Sequence, residues 1–191
     1  MSDLRFNERK ATQMAAAFIT RSGSSLNHMK LIKLMYLADR TALLRWERPI
    51  TGDDYFSLKH GPILSTTLSM ISDGHSPLAN SFWFEYIKKQ GDYEVSLTQS
   101  CSPDDLSQAE LEVIDEVFSQ YGSYDKWDLV HHLHNTLPEW RDPGRSAFPI
   151  SIGDILEGEG RSPDEISRIE FDIDNIQAIR DLLSATSTGS L

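Results

Sequence analysis

Between Asn27 and Trp46 the apolar residues Met29, Leu31, Ile32, Leu34, Met35, Tyr36, Leu37, Ala38, Leu43 and Leu44 are too dense for a single stripe. At about 100° per residue they cover most of a helix's circumference. A helix with so little polar surface has to be enclosed on several sides, so it predicts a central element around which the rest is wrapped. Three of its residues stand apart. Lys33, Tyr36 and Arg40 fall within about 60° of one another, a basic and aromatic strip that either meets a partner or pairs with acids of the same chain.

The flanking sequence supplies what would surround it. Residues 7–21 place Ala11, Met14, Ala15, Phe18 and Ile19 at helical spacing, with Gly23 as the stop. A turn at Pro49–Asp54 leads to a short strand over Tyr55–Lys59, and His60-Gly61-Pro62 breaks it before a third helix near Ile63–Ser72. Phe82–Lys88 and Tyr93–Leu97 read as a β-hairpin rich in aromatic and β-branched residues. Ser107 to Glu110 has the capping-box pattern and opens a helix ended by Gly122. A further helix spans about Asp125–Asn135, and Arg141–Pro149 reads as loop. A short helix follows at Ser151–Leu156. Ser162-Pro163-Asp164-Glu165 starts a last helix. Its Ile166, Ile169, Ile173, Ile176, Ile179 and Leu183 continue an inward period, with a break expected near Asp172. No repeat or low-complexity tract interrupts the pattern. The expectation is one predominantly helical α+β domain over residues 1–184 with a small antiparallel hairpin or sheet, then a flexible polar tail over 185–191.

The 191 residues would bury about 70% of their unfolded surface, so neither disulfide nor metal is needed for folding. A lone cysteine, Cys101, excludes an intrachain disulfide and fits a reducing compartment. The apolar run Met14–Ile19 is too short to cross a bilayer, so a cytoplasmic protein with no membrane partner is expected. Charge is divided unevenly. Residues 1–100 carry 12 basic and 10 acidic groups, and residues 101–191 carry 6 and 19. A net charge of −11 argues against nucleic acid as a partner, because phosphate binding concentrates Lys and Arg. An acidic half either keeps the protein soluble or steers a basic protein toward it. Glu112, Asp115 and Glu116, together with Asp164 and Glu165, occupy helix positions not used by the core and are expected to face water.

No nucleotide loop, nucleophile elbow, HExxH or paired CxxC is present. Only His131, His132 and His134 invite a metal reading, His131 and His134 sharing a helical face. A zinc site needs three or four protein ligands, and the alternative is a half-buried, hydrogen-bonded histidine with the others in water. A metal-dependent hydrolase built on this cluster and a DNA-binding repressor are the rival functions. The expected site contains no catalytic residue, metal or cofactor.

Lys30-Leu31-Ile32-Lys33-Leu34-Met35-Tyr36-Leu37-Ala38-Asp39-Arg40 resembles the KLxKLxYxAD helix of Panacea domains, the SocA-like antitoxin family of bacterial and phage genomes. Further segments follow in the family's order. Pro49-Ile50-Thr51-Gly52-Asp53 resembles the loop after that helix, and Lys59-His60-Gly61-Pro62-Ile63 its GP turn. His134 with Trp140 resembles its histidine-then-tryptophan segment, and Ser162–Ile169 its last helix. The resemblance spans about residues 10–170. It implies a non-enzymatic protein that neutralises a cognate protein toxin by direct binding, in one relative by delivery to an ATP-dependent protease. Most motif positions, among them Lys30, Leu34, Asp39, Gly52, Asp53, His60, Gly61, Pro62, His134 and Trp140, are expected to build scaffold. Tyr36 and Asp39 are expected to fix the Thr51-Gly52-Asp53 loop. Lys33, Tyr36 and Arg40 with Glu112, Asp115 and Glu116 are the candidates for partner contact.

Overall fold

The computed structural model describes residues 6–74 and 80–187. Helix α1 (Glu8–Arg21) is capped by the Asn7 side chain, which accepts from Lys10 N. Strand β1 (Ser25–Asn27) runs directly into α2 (His28–Trp46), where the Asn27 carboxamide turns round and caps the new helix at Met29 N, 3.1 Å away. One residue thus closes a strand and opens the central helix.

α2 is enclosed as its composition demands. Leu31, Leu34, Met35, Tyr36, Ala38, Ala42 and Leu43 are all fully buried. Its neighbours are α1, β1, α3 (Ser65–Asp73), α5 (Gln108–Tyr121), α6 (Lys126–Thr136) and the hairpin of β2 (Tyr55–Leu58) and β3 (Gly61–Leu64). Around it stand two three-stranded antiparallel sheets. In one, β5 (Glu94–Leu97) lies between β1 and β4 (Ile87–Gln90). In the other, β2 (Tyr55–Leu58) lies between β3 (Gly61–Leu64) and β6 (Phe148–Ile150).

Several elements differ from the sequence expectation. The hairpin begins at Ile87, because residues 82–86 form the short helix α4 (Phe82–Tyr86). Its strand-prone aromatics are overridden by Glu8, whose carboxylate accepts from Ser81 Oγ and Trp83 N and draws the Trp83 ring into the core. Residues 61–64 are strand rather than helix, and α3 (Ser65–Asp73) starts later. Pro62 is tolerated because β3 is a sheet edge. Phe148–Ile150, expected as loop, pairs with β2 in the register Tyr55–Ile150 and Ser57–Phe148. β1 itself is too short to carry a readable period.

The acidic half supplies the outer helices. The Ser107–Glu110 capping box is formed in both directions at the start of α5. α7 (Ile152–Gly158) carries a second box from Ser151 and Asp154. α8 (Pro163–Ser187) runs without a break at Asp172 and passes the expected end at Ser184; the last residues of the expected tail, 188–191, lie outside the described residues. α8 packs on α7. Its inward period ends at Ile173: Ile169 and Ile173 are buried, but Ile176 and Ile179 are exposed, as is Phe171 at 66%. Beyond Ile173 the expected period therefore turns to solvent at Ile176 and Ile179, and the side chain of Leu183, also expected inward, lies outside the described residues.

Candidate functional site

α2 delivers its polar residues to three buried junctions. The first is an aspartate that organises a loop. Asp39 Oδ1 accepts from Ile50 N and Thr51 N, each at 3.0 Å, while Oδ2 accepts from the Thr51 and Tyr55 hydroxyls. Four donors around one enclosed carboxylate fix the 50–55 segment. Burial nonetheless pushes the Asp39 pKa up to about 6, against the pull of those donors. Past Gly52, whose φ of +65° is a conformation that favours glycine, the Asp53 carboxylate accepts from Thr66 N, Thr67 N and the Thr67 hydroxyl. It is the N-cap that α3 lacks, since Leu64 at the capping position makes no side-chain bond. Asp39, Thr51 and Asp53 thereby link the central helix to α3 through a short loop. Tyr36, expected to share this task, packs its ring edge-on against Tyr55 but sends its hydroxyl elsewhere.

The second junction lies at the β2–β3 turn. Lys33 is 1% exposed, and its Nζ donates to Pro62 O at 2.7 Å. Burial lowers its pKa to about 7. Gly61 has φ +99°, and a Cβ there would stand 3.1 Å from Lys33 Nζ and 3.3 Å from Cε. The glycine is required both by its backbone conformation and by the lysine against it. His134 stacks on Trp140 with ring centroids 3.7 Å apart, and the Trp140 indole N–H donates to Leu58 O at 3.0 Å. Burial and the nearby Lys33 cation lower the His134 pKa.

The third is an ion pair that crosses to the acidic half. Glu139, buried, accepts from Tyr36 OH at 2.8 Å and from Arg40 Nε at 2.7 Å. Arg40 also donates to Glu159. Although burial works against its charge, these bonds to Glu139 and Glu159 raise the Arg40 pKa. The expected strip of Lys33, Tyr36 and Arg40 is therefore not a free surface. Lys33 and Tyr36 are enclosed, and Arg40 is committed to carboxylates from residues 139 and 159. Its other motif neighbours are placed in keeping with this: Leu34 is core, and Lys30 Nζ donates to Gly122 O at 2.7 Å, holding the end of α5. The sequence gives Glu139 no motif of its own, and only the fold reveals it as the shared acceptor.

The α5 acids Glu112, Asp115 and Glu116 are exposed. Two are already engaged: Asp115 pairs with Arg21 and Glu116 with Arg45. Asp164 is exposed and Glu165 half-buried, the latter capping α8 through Ser162. The histidine cluster disperses. His131 is exposed, His132 packs on Tyr121 and Tyr124, and His134 faces Trp140. Among the described residues no three His, Cys, Asp or Glu side chains are grouped to hold a metal ion. Among them, too, no helix is long and apolar enough to cross a membrane.

The motif residues thus define an α+β scaffold in which one central helix is tied to its surroundings through buried polar struts. The chain belongs to the SocA-like antitoxin family, Panacea domain, whose model matches residues 31–141. That span opens inside α2 and closes just beyond Trp140, taking in all three junctions except Glu159. No curated protein and no solved structure matches the chain significantly. Family membership supports an antitoxin role and a toxin as partner in general.

Proposed function

We propose that this protein is an antitoxin that neutralises a cognate protein toxin by direct, non-enzymatic binding, and that the binding surface lies outside the motif helix. Family membership over residues 31–141 carries the first part. The second part is supported by what the struts leave over. Phe171, Ile176 and Ile179 present apolar side chains to solvent along α8, the kind of surface that marks interaction sites. Arg45 at the end of α2 holds Glu116 of α5, and Glu47 two residues on holds Arg168 of α8, so both helices flank the same end of α2. Exposed apolar side chains on a helix tied to the same end of α2 as the acids of α5 suit a partner that is basic around an apolar contact.

Co-expression with the product of the neighbouring gene tests the proposal. The expected result is rescue of growth and co-purification of the two proteins; failure of both contradicts it. Toxin levels in strains lacking single ATP-dependent proteases then separate the two modes of neutralisation. Unchanged toxin abundance on rescue indicates blocking, and accumulation of toxin in one protease-deficient strain indicates adaptor delivery.

A further inference from the structure

Beside the β2–β3 turn a cavity of about 500 Å³ opens between α2, the hairpin and the 144–146 loop. Ile32, Ile63, Leu58 and Met29 form apolar walls. Its charged lining is cationic, with Lys33 buried and Lys59 and Arg145 exposed, and His28, His60 and Ser146 complete the polar lining. No carboxylate lines it; Asp142, in the adjoining loop, accepts the Gly144 N–H.

This concentration of positive charge is anomalous in a chain of net charge −11. Arg9, Arg21 and Arg45 each hold an acid; among the described residues Lys33, Lys59 and Arg145 make no ion pair, as is also true of Lys30, Arg48, Lys88, Lys89 and Lys126, but these three converge on one cavity. Lys33 Nζ uses one of three donors, on Pro62 O. His28 Nδ1 is buried without a hydrogen-bond partner. A cavity of this size, apolar with a few convergent polar groups, has the build of a ligand site.

We propose that this cavity binds an apolar carboxylate, the hydrocarbon body against Ile32 and Ile63 and the carboxylate toward Lys33, Lys59 and Arg145. Burial of Lys33 without a counter-charge is costly, and a bound carboxylate offsets that cost. Two sources carry this chemistry, a free organic acid and the C-terminal residue of another polypeptide. The proposal goes beyond the antitoxin reading and does not depend on it, since the cavity is formed by the turn and not by α8.

Isothermal titration of the full chain with 4-phenylbutyrate and with its uncharged amide tests the class. Acetyl-Ala-Ala-Phe, as free acid and as amide, tests the second source. The acid of at least one pair should bind about tenfold or more tighter than its amide, the effect of a charge-assisted bond. Lys33→Met should remove that preference. Because Lys33 is interior, the exposed pair Lys59→Gln/Arg145→Gln serves as a second variant, expected to weaken binding of the acid about threefold or more while leaving the melt unchanged. Preference for phenylbutyrate alone assigns a free acid, and preference for the peptide alone assigns a chain terminus; either sustains the proposal. Equal binding of acid and amide, no binding by either acid, or an acid preference that persists in both variants overturns it. Failure of toxin rescue leaves these titrations unaffected, so the two readings fail separately.

Discussion

α2 and α8 are both long helices with a run of apolar residues, and the fold uses them in opposite ways. α2 is enclosed on most sides, and three of its polar residues are turned inward: Lys33, Tyr36 and Asp39 are buried, each with a defined acceptor or donor. α8 buries Ile169 and Ile173, then leaves Ile176 and Ile179 in solvent. The family match covers α2 from Leu31 and stops at residue 141, before α8 begins. The difference separates two tasks. The part shared with the family builds the scaffold through buried polar struts, with Phe84, Tyr93 and Trp127 exposed on it, and the part outside it adds a helix whose Phe171, Ile176 and Ile179 are exposed, the surface proposed above for recognition.

The largest effect should come from breaking the strut that joins the two halves. Glu139→Leu removes the acceptor shared by Tyr36 and Arg40 and leaves a largely buried guanidinium short of its counter-charge. A loss of about 3–5 kcal/mol is expected in urea unfolding, against under about 1 kcal/mol for Glu159→Ala at the exposed end. Equal effects would show that the pair is not a strut.

Next in size is the turn. Gly61→Val should cost about 1–3 kcal/mol through its left-handed conformation, and the branched side chain would meet Lys33 as well. Combined with Lys33→Met the losses should fall short of additivity by about 0.5 kcal/mol or more, because the two residues are in contact. Strict additivity would deny the contact.

Lys33 should also give the stability a pH dependence. Its folded pKa of about 7 lies below the unfolded value. Between those values the unfolded chain binds more protons, so stability rises with pH from about 7 toward 10; the penalty is complete below 7. Lys33→Met should flatten that rise relative to the parent. Asp39 acts oppositely in a lower window. Raised to about 6, it contributes stability at acid pH that is lost as pH climbs from about 4 through 6, and Asp39→Asn should remove that slope even though it weakens the loop.

The smallest effect is expected on the outer face. Glu116 is a poor site for charge reversal because Arg45 depends on it, whereas among the described residues Glu112 pairs with no cation and accepts from Gln108. Glu112→Lys should slow association with a basic toxin a few-fold at about 50 mM salt, with little change in dissociation and none in the melt. An unchanged association rate assigns these acids to solubility.

The central helix was legible because its apolar density and its cap at Asn27 both act within about 20 residues. The capping box of α5 was legible for the same reason, whereas the helices near Asp125 and Ser151 were expected without their caps, which the fold supplies. What escaped was set by distant partners. The Phe82–Tyr86 helix depends on Glu8, and β6 forms only because β2 has a free edge. At the candidate site, Gly61 and Asp39 announced structural roles. The inward turn of Lys33 and the place of Glu139 required knowing which chain segments meet, a property that local spacing does not contain.

The separation of scaffold from recognition is tested most directly by Phe171→Asp/Ile179→Asp, measured for melting and for co-purification with the toxin from the neighbouring gene. The account predicts stability within about 0.5 kcal/mol of the parent and loss of the complex. A variant that melts unchanged and still holds its toxin would contradict it.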